Sequence, residues 1–424
     1  MTKLGEFLDK IIGGGTPSKS EERYWNGNIP WASVKDINEE QVFLSYTQDC
    51  ITEEGLKKSS SNLIPKGTVV IPTRMGLGRC VITTIDTAIN QDLKALIPNT
   101  TKLESKYLLY WLKNNSLLIE SMGSGTTVKG IRLEQLTDLE FKDIDLNIQQ
   151  KIAKILSNYD DLIENNNKRI KILEEMAQKI YKEWFVDFKF PGYETATFKQ
   201  TELGKIPSDW LYKPIGSLLE HQIGGGWGSE EKDEKYTESA YVIRGADIPN
   251  GREGNIQNCP LRYHTSSNIK TRLLQINDIV FEVSGGSKGQ PVGRSLLLNE
   301  NLFNQFNDNV ICASFCKLLR PDVNQILPEL VYLHLLNIYN NGEIEKYQTQ
   351  STGIINFKFT FFLESEQVLV PNNNIQELLK KIIVPIFDEI SLLGYKNQTL
   401  KQTRDLLLPR LISGEIDVEN LNIL

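Results

Sequence analysis

Two glycine-rich basic loops occupy matching places in the two halves of the chain. The first spans residues 73–79 (TRMGLGR), and the second spans residues 284–289 (SGGSKG). An arginine can donate two hydrogen bonds to a guanine edge or grip a phosphate, and glycine lets the backbone approach closely. The alternative is a pair of hairpin turns with incidental basic residues. The residues predicted to contact DNA here are Arg74, Gly76, Arg79 and Lys288.

A second polar loop follows in each half, near the end of its strand-rich part. Hydroxyl and amide groups suit base edges, and glutamine suits adenine. The same residue types are common in plain solvent loops, so both interpretations stay open. The candidates are Thr126, Thr127, Lys129 and Arg132 in the first half, and Gln348, Gln350, Ser351, Thr352 and Lys358 in the second. Arg244 and Arg294 complete the predicted DNA-binding set.

Motifs for catalysis or for tight cofactor binding are missing from the sequence. The glycine triples at 13–15 and 224–226 do not continue into Gly-Lys-Ser/Thr, so we interpret them as turn or bulge glycines. No Asn/Asp-Pro-Pro-aromatic motif for amino-methylation occurs. The Asp-Ile pair that occurs in both halves, at 36–37 and 247–248, favours a capping or turn role. We therefore expect a non-catalytic chain.

The five cysteines and three histidines do not have the spacing of a metal site. Cys312 and Cys316 lie in an apolar segment, and no histidine stands at ligand spacing from them. An odd, scattered set of cysteines fits a reducing compartment. We expect no metal.

Two long amphipathic helices are predicted to position these loops. Apolar residues recur from Ile148 to Ile180 at alternating spacings of three and four, within a helix expected from Asn147 to about Phe188. A shift of 227 residues gives a second series, from Ile375 to Leu407. This spacing is typical of helices that pack lengthwise on each other. Two unrelated core helices are the alternative. Pro385 is expected to kink the second helix or delay its start.

The parts that precede the helices also match each other, at an offset of 211 residues. Matching positions include the two glycine triples, the two Asp-Ile pairs, and Val69 with Val280. The sequence thus predicts a tandem duplication and an α+β fold with two mixed, strand-rich domains separated by a pair of long helices. The predicted boundaries are 1–146 and 191–373 for the domains, and 147–190 and 374–424 for the helices.

The composition limits the class of protein. The net charge of −7 argues against a surface covered with phosphate-binding residues but allows a local basic face. No run of about 18 apolar residues is present, and the N-terminus carries charges where a signal peptide would be apolar. We expect a cytoplasmic protein.

The order domain–helix–domain–helix resembles the specificity (S) subunits of type I restriction–modification systems. Four segments carry the resemblance: 148–153 (IQQKIA), 182–185 (KEWF), 204–210 (GKIPSDW) and 406–416 (LLLPRLISGEI). The resemblance implies two target recognition domains that each bind one half of a bipartite DNA site. It implies that the two helices form an antiparallel pair and hold these domains apart. A helix of about 55–60 Å exceeds one DNA turn.

The resemblance also implies partners. Two copies of a methylation subunit would clamp onto the chain, and a restriction subunit with ATP-driven translocation could join them. S-adenosylmethionine, ATP and Mg would bind to those partner subunits and not to this chain. A protein–protein adaptor with a helical spacer remains the alternative. A stand-alone enzyme is a weaker one, motivated only by the glycine-rich loops.

Overall fold

The computed structural model describes residues 2–125, 129–286, 290–351 and 354–422. The chain divides into two compact units. Unit 1 comprises Met1–Ile163 and Leu400–Leu424, and unit 2 comprises Glu164–Thr399. Each long helix therefore contributes residues to both units.

Two sheets and four short helices make up the globular part of unit 1. Its strands are β1 (Leu8–Gly13), β2 (Trp25–Ala32), β3 (Phe43–Leu44), β4 (Asp49–Ile51), β5 (Asn62–Ile64), β6 (Val69–Pro72), β7 (Val81–Thr83), β8 (Thr87–Ile89) and β9 (Leu93–Pro98). Its helices are α1 (Glu53–Lys57), α2 (Ser105–Asn114), α3 (Ser116–Ser121) and α4 (Leu133–Thr137). The strand orders are β1-β9-β6-β7-β3 and β4-β2-β8-β5.

The core of unit 1 forms where α2 covers the five-stranded sheet. Strand β6 is buried along its whole length, as its run of β-branched residues predicts. The last residues of the chain complete this core, because Leu411 and Val418 are buried in the same cluster as the α2 side chains.

The first long helix, α5, spans Leu146–Tyr181 and continues into a π-helical turn, Lys182–Val186. The strands of unit 2 are β10 (Phe198–Thr201), β11 (Gly204–Pro207), β12 (Leu211–Pro214), β13 (Leu219–Gly224), β14 (Glu238–Ile243), β15 (Leu261–His264), β16 (Ile279–Glu282), β17 (Ser284–Gly285), β18 (Ser295–Leu297), β19 (Asn309–Cys312), β20 (Cys316–Pro321), β21 (Gln348–Ser351), β22 (Ile354–Phe357) and β23 (Gln367–Val370). Its helices are α6 (Ile248–Arg252), α7 (Ser266–Arg272), α8 (Glu300–Phe303), α9 (Pro328–Asn340), α10 (Phe359–Ser365) and the second long helix, α11 (Asn373–Ser413).

The two units share one sheet plan. The order β13-β20-β16-β18 in unit 2 repeats β1-β9-β6-β7 in unit 1, and β15-β14-β19 repeats β4-β2-β8. The pairs β2–β8 and β14–β19 are both parallel. The register irregularity after Leu8 recurs after Leu219. The predicted α+β class and its internal duplication are confirmed.

The glycine triples lie where the backbone of one strand crosses another closely. A Cβ on Gly14 would stand 1.9 Å from the Ile89 carbonyl oxygen, and one on Gly225 would stand 2.2 Å from that of Cys312. No other residue type fits such an approach, which supports a structural role for these glycines.

The two long helices pack antiparallel. In unit 2, the Asn166 amide donates to Asn397 at 2.8 Å, and Arg169 pairs with Glu389 at 2.6 Å. In unit 1, Asp160 pairs with Arg404. Higher numbers on α5 meet lower numbers on α11, which is the expected direction.

The predicted apolar seam of α5 is displaced by one residue over most of its length. The buried stripe includes Ala153, Leu156, Ile163, Ile170 and Ala177. Leu162 and Met176, assigned to the seam from the sequence, are 51% and 46% exposed. The cause is that hydrogen-bonded polar residues such as Gln149 and Asp160 hold buried positions that a search for apolar periodicity passes over.

Two helix ends also differ from the sequence prediction. The α-helical part of α5 stops at Tyr181, and Phe188 has a positive φ of 55°. Helix α11 begins at Asn373 and runs through Pro385, so this proline does not delay its start.

A glutamine at the start of each long helix, buried in α5 and partly buried in α11, fastens that helix to the segment after a strand of its main sheet. Gln149 donates to the Lys102 and Ile144 carbonyls and accepts from the Glu104 N–H. Gln376 makes the corresponding bonds, since it donates to Gln325 and Pro371 and accepts from Leu327. The Asn-Ile-Gln segment that occurs twice in the sequence therefore encodes the same attachment twice.

The Asp160–Arg404 pair yields a prediction for stability. Asp160→Ala is expected to destabilise unit 1 by about 3–5 kcal/mol, because it leaves a buried guanidinium without its main partner. The two side chains are 3% and 12% exposed, and Tyr110 also donates to Asp160 at 2.5 Å. Urea unfolding followed by tryptophan fluorescence measures the change. Lys57→Ala, which removes an exposed i,i+4 pair, is the control and should cost less than about 1 kcal/mol. Equal midpoints for the two variants would contradict the prediction.

A second buried network gives a pH dependence. Glu366 accepts from His334 at 2.9 Å and from Tyr347 at 2.5 Å, and it pairs with Lys346. Burial acts to raise the pKa of Glu366, but the bonds from His334, Tyr347 and Lys346 outweigh it and lower the pKa to about 2. The ionised carboxylate therefore stabilises unit 2 above the ordinary glutamate pKa, and this stabilisation is lost as the pH falls toward 2.

Glu366→Gln is accordingly expected to lower the urea midpoint at pH 7 and to lower it progressively less at pH 4 and pH 3. Glu202→Gln, at an exposed position, controls for general acid effects. A wild-type to variant difference that stays constant over this range would show that the carboxylate charge is not responsible.

Candidate nucleic-acid interface

In unit 1 the two predicted polar loops lie side by side. Arg74 forms an isolated antiparallel bridge with Gly130, and the Ile131 N–H donates to the Thr73 carbonyl at 3.0 Å. Positive φ angles at Met75 (51°) and Gly76 (126°) turn the first loop. Loops separated by about fifty residues in sequence thus form one surface.

A cleft of about 740 Å³ opens at this junction. Its cations are Arg74, Lys94 and Arg132, and Asp92 contributes a carboxylate. The remaining lining residues are Thr73, Met75, Gln91, Ser124, Gly130, Ile131 and Leu133. Three cations facing one carboxylate, with an amide and hydroxyls among them, suit a polyanion that presents hydrogen-bonding groups.

Lys94 was not identified from the sequence. Its ammonium donates to the Gln91 carbonyl at 2.8 Å and to that of Leu93 at 3.3 Å. Burial lowers the pKa of Lys94, and Arg74 lowers it further against the opposing effect of Asp92. One signal was available, because a lysine is the second residue of the corresponding strand in both repeats, LKALIP and CKLLRP.

Arg79 faces a different cleft from Arg74, although both belong to one loop. Its guanidinium donates to the Ile37 carbonyl at 3.3 Å and lies 3.6 Å from Glu39. The residues around it include Glu39, Glu40 and Glu120 as well as Lys113 and Arg404. Arg74 and Arg79, both predicted to contact DNA, therefore line different clefts.

Unit 2 joins its two polar loops through a small sheet. Strand β17 pairs with β22 through Ser284 and Asn356, and Gln348 lies opposite Phe357 on β21 and β22. Lys358 is exposed directly after β22. The Lys317 ammonium lies 4.9 Å from the ring of Phe359. Unit 2 therefore places polar and basic groups at the same edge of its main sheet as unit 1.

Two predicted DNA-binding arginines are instead committed to partners inside unit 2. Arg294, 12% exposed, donates both to Glu282 Oε2 at 2.8 Å and to Oε1 at 2.5 Å. These hydrogen bonds raise the pKa of Arg294. Arg244 donates to both oxygens of Asp247 at 2.8 and 2.7 Å, and its side chain is more exposed. A guanidinium whose donors face a carboxylate has few left for a base edge, so we assign both arginines to holding their loops.

The Asp-Ile pairs have the capping role favoured by the sequence. Asp36 accepts from the Ser33 N–H at 2.8 Å, and Asp247 accepts from the Arg244 N–H at 2.9 Å. Each aspartate closes a single 3-10 turn.

Thr126, Thr127 and Lys288 lie outside the described residues, as does the side chain of Gln350. Over residues 2–125, 129–286, 290–351 and 354–422, no cluster of His, Cys, Asp and Glu side chains has the arrangement of a metal site. Within the same ranges, no helix is both long and apolar enough to span a bilayer.

Comparison with known proteins shows what the chain is similar to. The family model for the type I restriction modification DNA specificity domain matches residues 1–175. The relatives found for this chain are specificity subunits of type I restriction enzymes.

Relatives match over most or part of the chain. The MjaIX specificity subunit of Methanocaldococcus jannaschii is 27% identical over 98% of this chain and 93% of its own. The EcoR124I/EcoR124II specificity subunit of Escherichia coli is 33% identical over 46% of this chain and 49% of its own. The crystal structure of an S subunit from M. genitalium has the same fold, with a TM-score of 0.58, 17% identity, and coverage of 96% of this chain and 94% of that one.

Proposed function

We propose that this chain recognises a bipartite DNA target, with unit 1 reading one half-site and unit 2 the other. One observation carries the proposal: two units of the same sheet plan each bring two polar loops and a strand lysine to the same edge. Because the loop residues differ between the units, the two half-sites would differ in sequence.

The basic cleft of unit 1 is the better described of the two reading surfaces. Arg74 is placed to donate to a guanine edge or a phosphate, with Arg132 and Lys94 beside it. In unit 2, we assign Gln348 and Lys358 to the corresponding surface. The other predicted residues of these loops, Gly76, Thr126, Thr127, Lys129, Lys288 and Gln350, stay within the proposal.

The chain would act as a non-catalytic scaffold. Two copies of a methylation subunit would bind, and a restriction subunit could join them, with S-adenosylmethionine, ATP and Mg held by these partners. The duplicated attachments at Gln149 and Gln376 support a paired arrangement, since each adjoins a cleft at the start of a long helix. Matching surfaces on two repeats suit two identical subunits.

Substitution of Arg74 tests the reading surface. In the complete complex, Arg74→Ala should lower the affinity for the target and reduce discrimination against base changes in one half-site by about 1–3 kcal/mol. The target itself comes from mapping modified bases in host DNA by single-molecule sequencing. Competition binding against duplexes altered in one half at a time then measures the discrimination.

Arg79→Ala is the matched comparison, because Arg79 belongs to the same loop but contacts Ile37 and Glu39. It should leave discrimination close to wild type. Full discrimination by the Arg74 variant would refute the assignment of this surface. Binding of the wild-type complex that does not respond to salt would instead favour a protein–protein adaptor.

A further inference from the structure

We propose that Lys94 and Lys317 are twin phosphate-binding groups that hold the DNA backbone in the same way in the two units. The side chains that differ around them would read the bases. This inference rests on the proposed DNA-binding function and divides the reading surface into a constant part and a variable part.

The strand pairing establishes that the two lysines are equivalent. Lys94 lies opposite Gly13 in the β1–β9 pair, and Lys317 lies opposite Gly224 in the β13–β20 pair. A Cβ on Gly13 would stand 3.3 Å from the Lys94 Nζ, and one on Gly224 would stand 3.7 Å from the Lys317 Nζ. Each ammonium therefore lies over the first glycine of a triple, which has no side chain to fill the space beneath it. The Lys317 ammonium also contacts the face of the Phe359 ring.

A second cation accompanies each lysine. The Ile131 N–H donates to Thr73, and the Phe357 N–H donates to Val283 in the same place of the other unit. The residues that follow, Arg132 and Lys358, are thus equivalent and both basic. Each unit thus carries two positive charges at equivalent positions.

The neighbouring positions change in character. In unit 1 the Thr73 N–H donates to the Asp92 carbonyl, and in unit 2 the Val283 N–H donates to the Phe315 carbonyl. Asp92 and Phe315 are therefore equivalent, but the aspartate is buried and the phenylalanine is exposed. One residue further along, Arg74 corresponds to Ser284. A group that stays constant fits the part of DNA that is constant, the phosphate backbone, and groups that vary fit base edges.

The ammonium groups are free to take an anion. In the part of the chain that the structure describes, neither lysine forms an ion pair with a carboxylate within 4.0 Å. Lys94 donates to two backbone carbonyls, and an ammonium has three N–H donors. Lys94 is half-buried, and burial and Arg74 lower its pKa against the opposing effect of Asp92. Asp92 is not within ion-pair distance, so a phosphate would supply the direct negative partner.

Salt dependence of binding separates a phosphate contact from a base contact. Lys94→Gln, Lys317→Gln and the double variant are compared with wild type in the full chain assembled with its methylation subunits. Fluorescence anisotropy gives the affinity for the target duplex and for an unrelated duplex over a series of KCl concentrations. Each single substitution should weaken both duplexes by the same factor. Each should also reduce the slope of log K against log [KCl] by about 0.9.

Three variants make the result specific. Lys94→Arg keeps the charge and should restore the wild-type slope. Lys66→Gln removes an exposed lysine at the far end of β6 from the reading loops and should change nothing. Arg74→Ala should weaken the target duplex more than the unrelated one. Thermal unfolding of each complex shows whether the glutamine variants are folded.

The outcomes distinguish the two proposals. A wild-type slope in the folded double variant, beside normal salt dependence of the wild-type complex, would overturn the phosphate role and leave the DNA-reading function intact. Loss confined to the target duplex would overturn it as well, because it would mark the lysines as base readers. Salt-independent binding by the wild-type complex would remove both proposals.

Discussion

The antiparallel pairing of α5 with α11 depends on buried polar contacts that fit only one lengthwise register. Apolar side chains alone would tolerate a slip by one helical turn, because leucine and isoleucine pack acceptably in several positions. The Asn166–Asn397 amide contact in unit 2 and the Asp160–Arg404 ion pair in unit 1 do not tolerate it, since a slip would leave each group buried without a partner. At the start of α5, Gln149 holds the loop that follows β9, the strand of Lys94. At the start of α11, Gln376 holds the loop that follows β20, the strand of Lys317. Helix register and reading surface are thereby connected within each unit through a few hydrogen bonds.

Much of this architecture could be predicted because the two repeats of the chain can be aligned with each other. Two repeats that agree at Gly13–Gly15 and Asp36 show which positions the fold requires, and the sheets bear this out in strand order and register. The predicted match of Val69 with Val280 is wrong by one residue, because the register of β6 and β16 aligns Val69 with Ile279. The pairing of the two polar loops was harder to predict, because it depends on a bridge between Arg74 and Gly130 that no local pattern encodes. The buried stripe of α5 was misplaced for a related reason. Asp160 is polar by type, and only its partners, Tyr110 and Arg404, explain its burial.

The basic residues show the same limit. The sequence does not distinguish Arg74, Arg79 and Arg294. In the structure, Arg74 lines the cleft and Arg79 faces Glu39. Arg294 binds both carboxylate oxygens of Glu282. The Arg294–Glu282 contact arises from the pairing of β16 with β18, which brings together two residues separated by a loop. Lys94 is the reverse case, a residue that lines the cleft but was not predicted to do so. It was passed over because a strand lysine usually points to solvent, whereas here it lines the cleft beside Arg74.

The way in which the C-terminal segment completes unit 1 has a consequence for biosynthesis. Leu411 and Val418 are buried with the side chains of α2, and Arg404 neutralises Asp160, so the first unit contains residues that are translated after unit 2. On the ribosome, residues 1–163 emerge early with an incomplete core and an unneutralised buried carboxylate. Unit 2 has all its residues by Thr399 and can fold first, while unit 1 completes its core only after residues 400–418 have been translated. A stop codon before residue 400 would therefore damage unit 1, most of which precedes unit 2 in the chain.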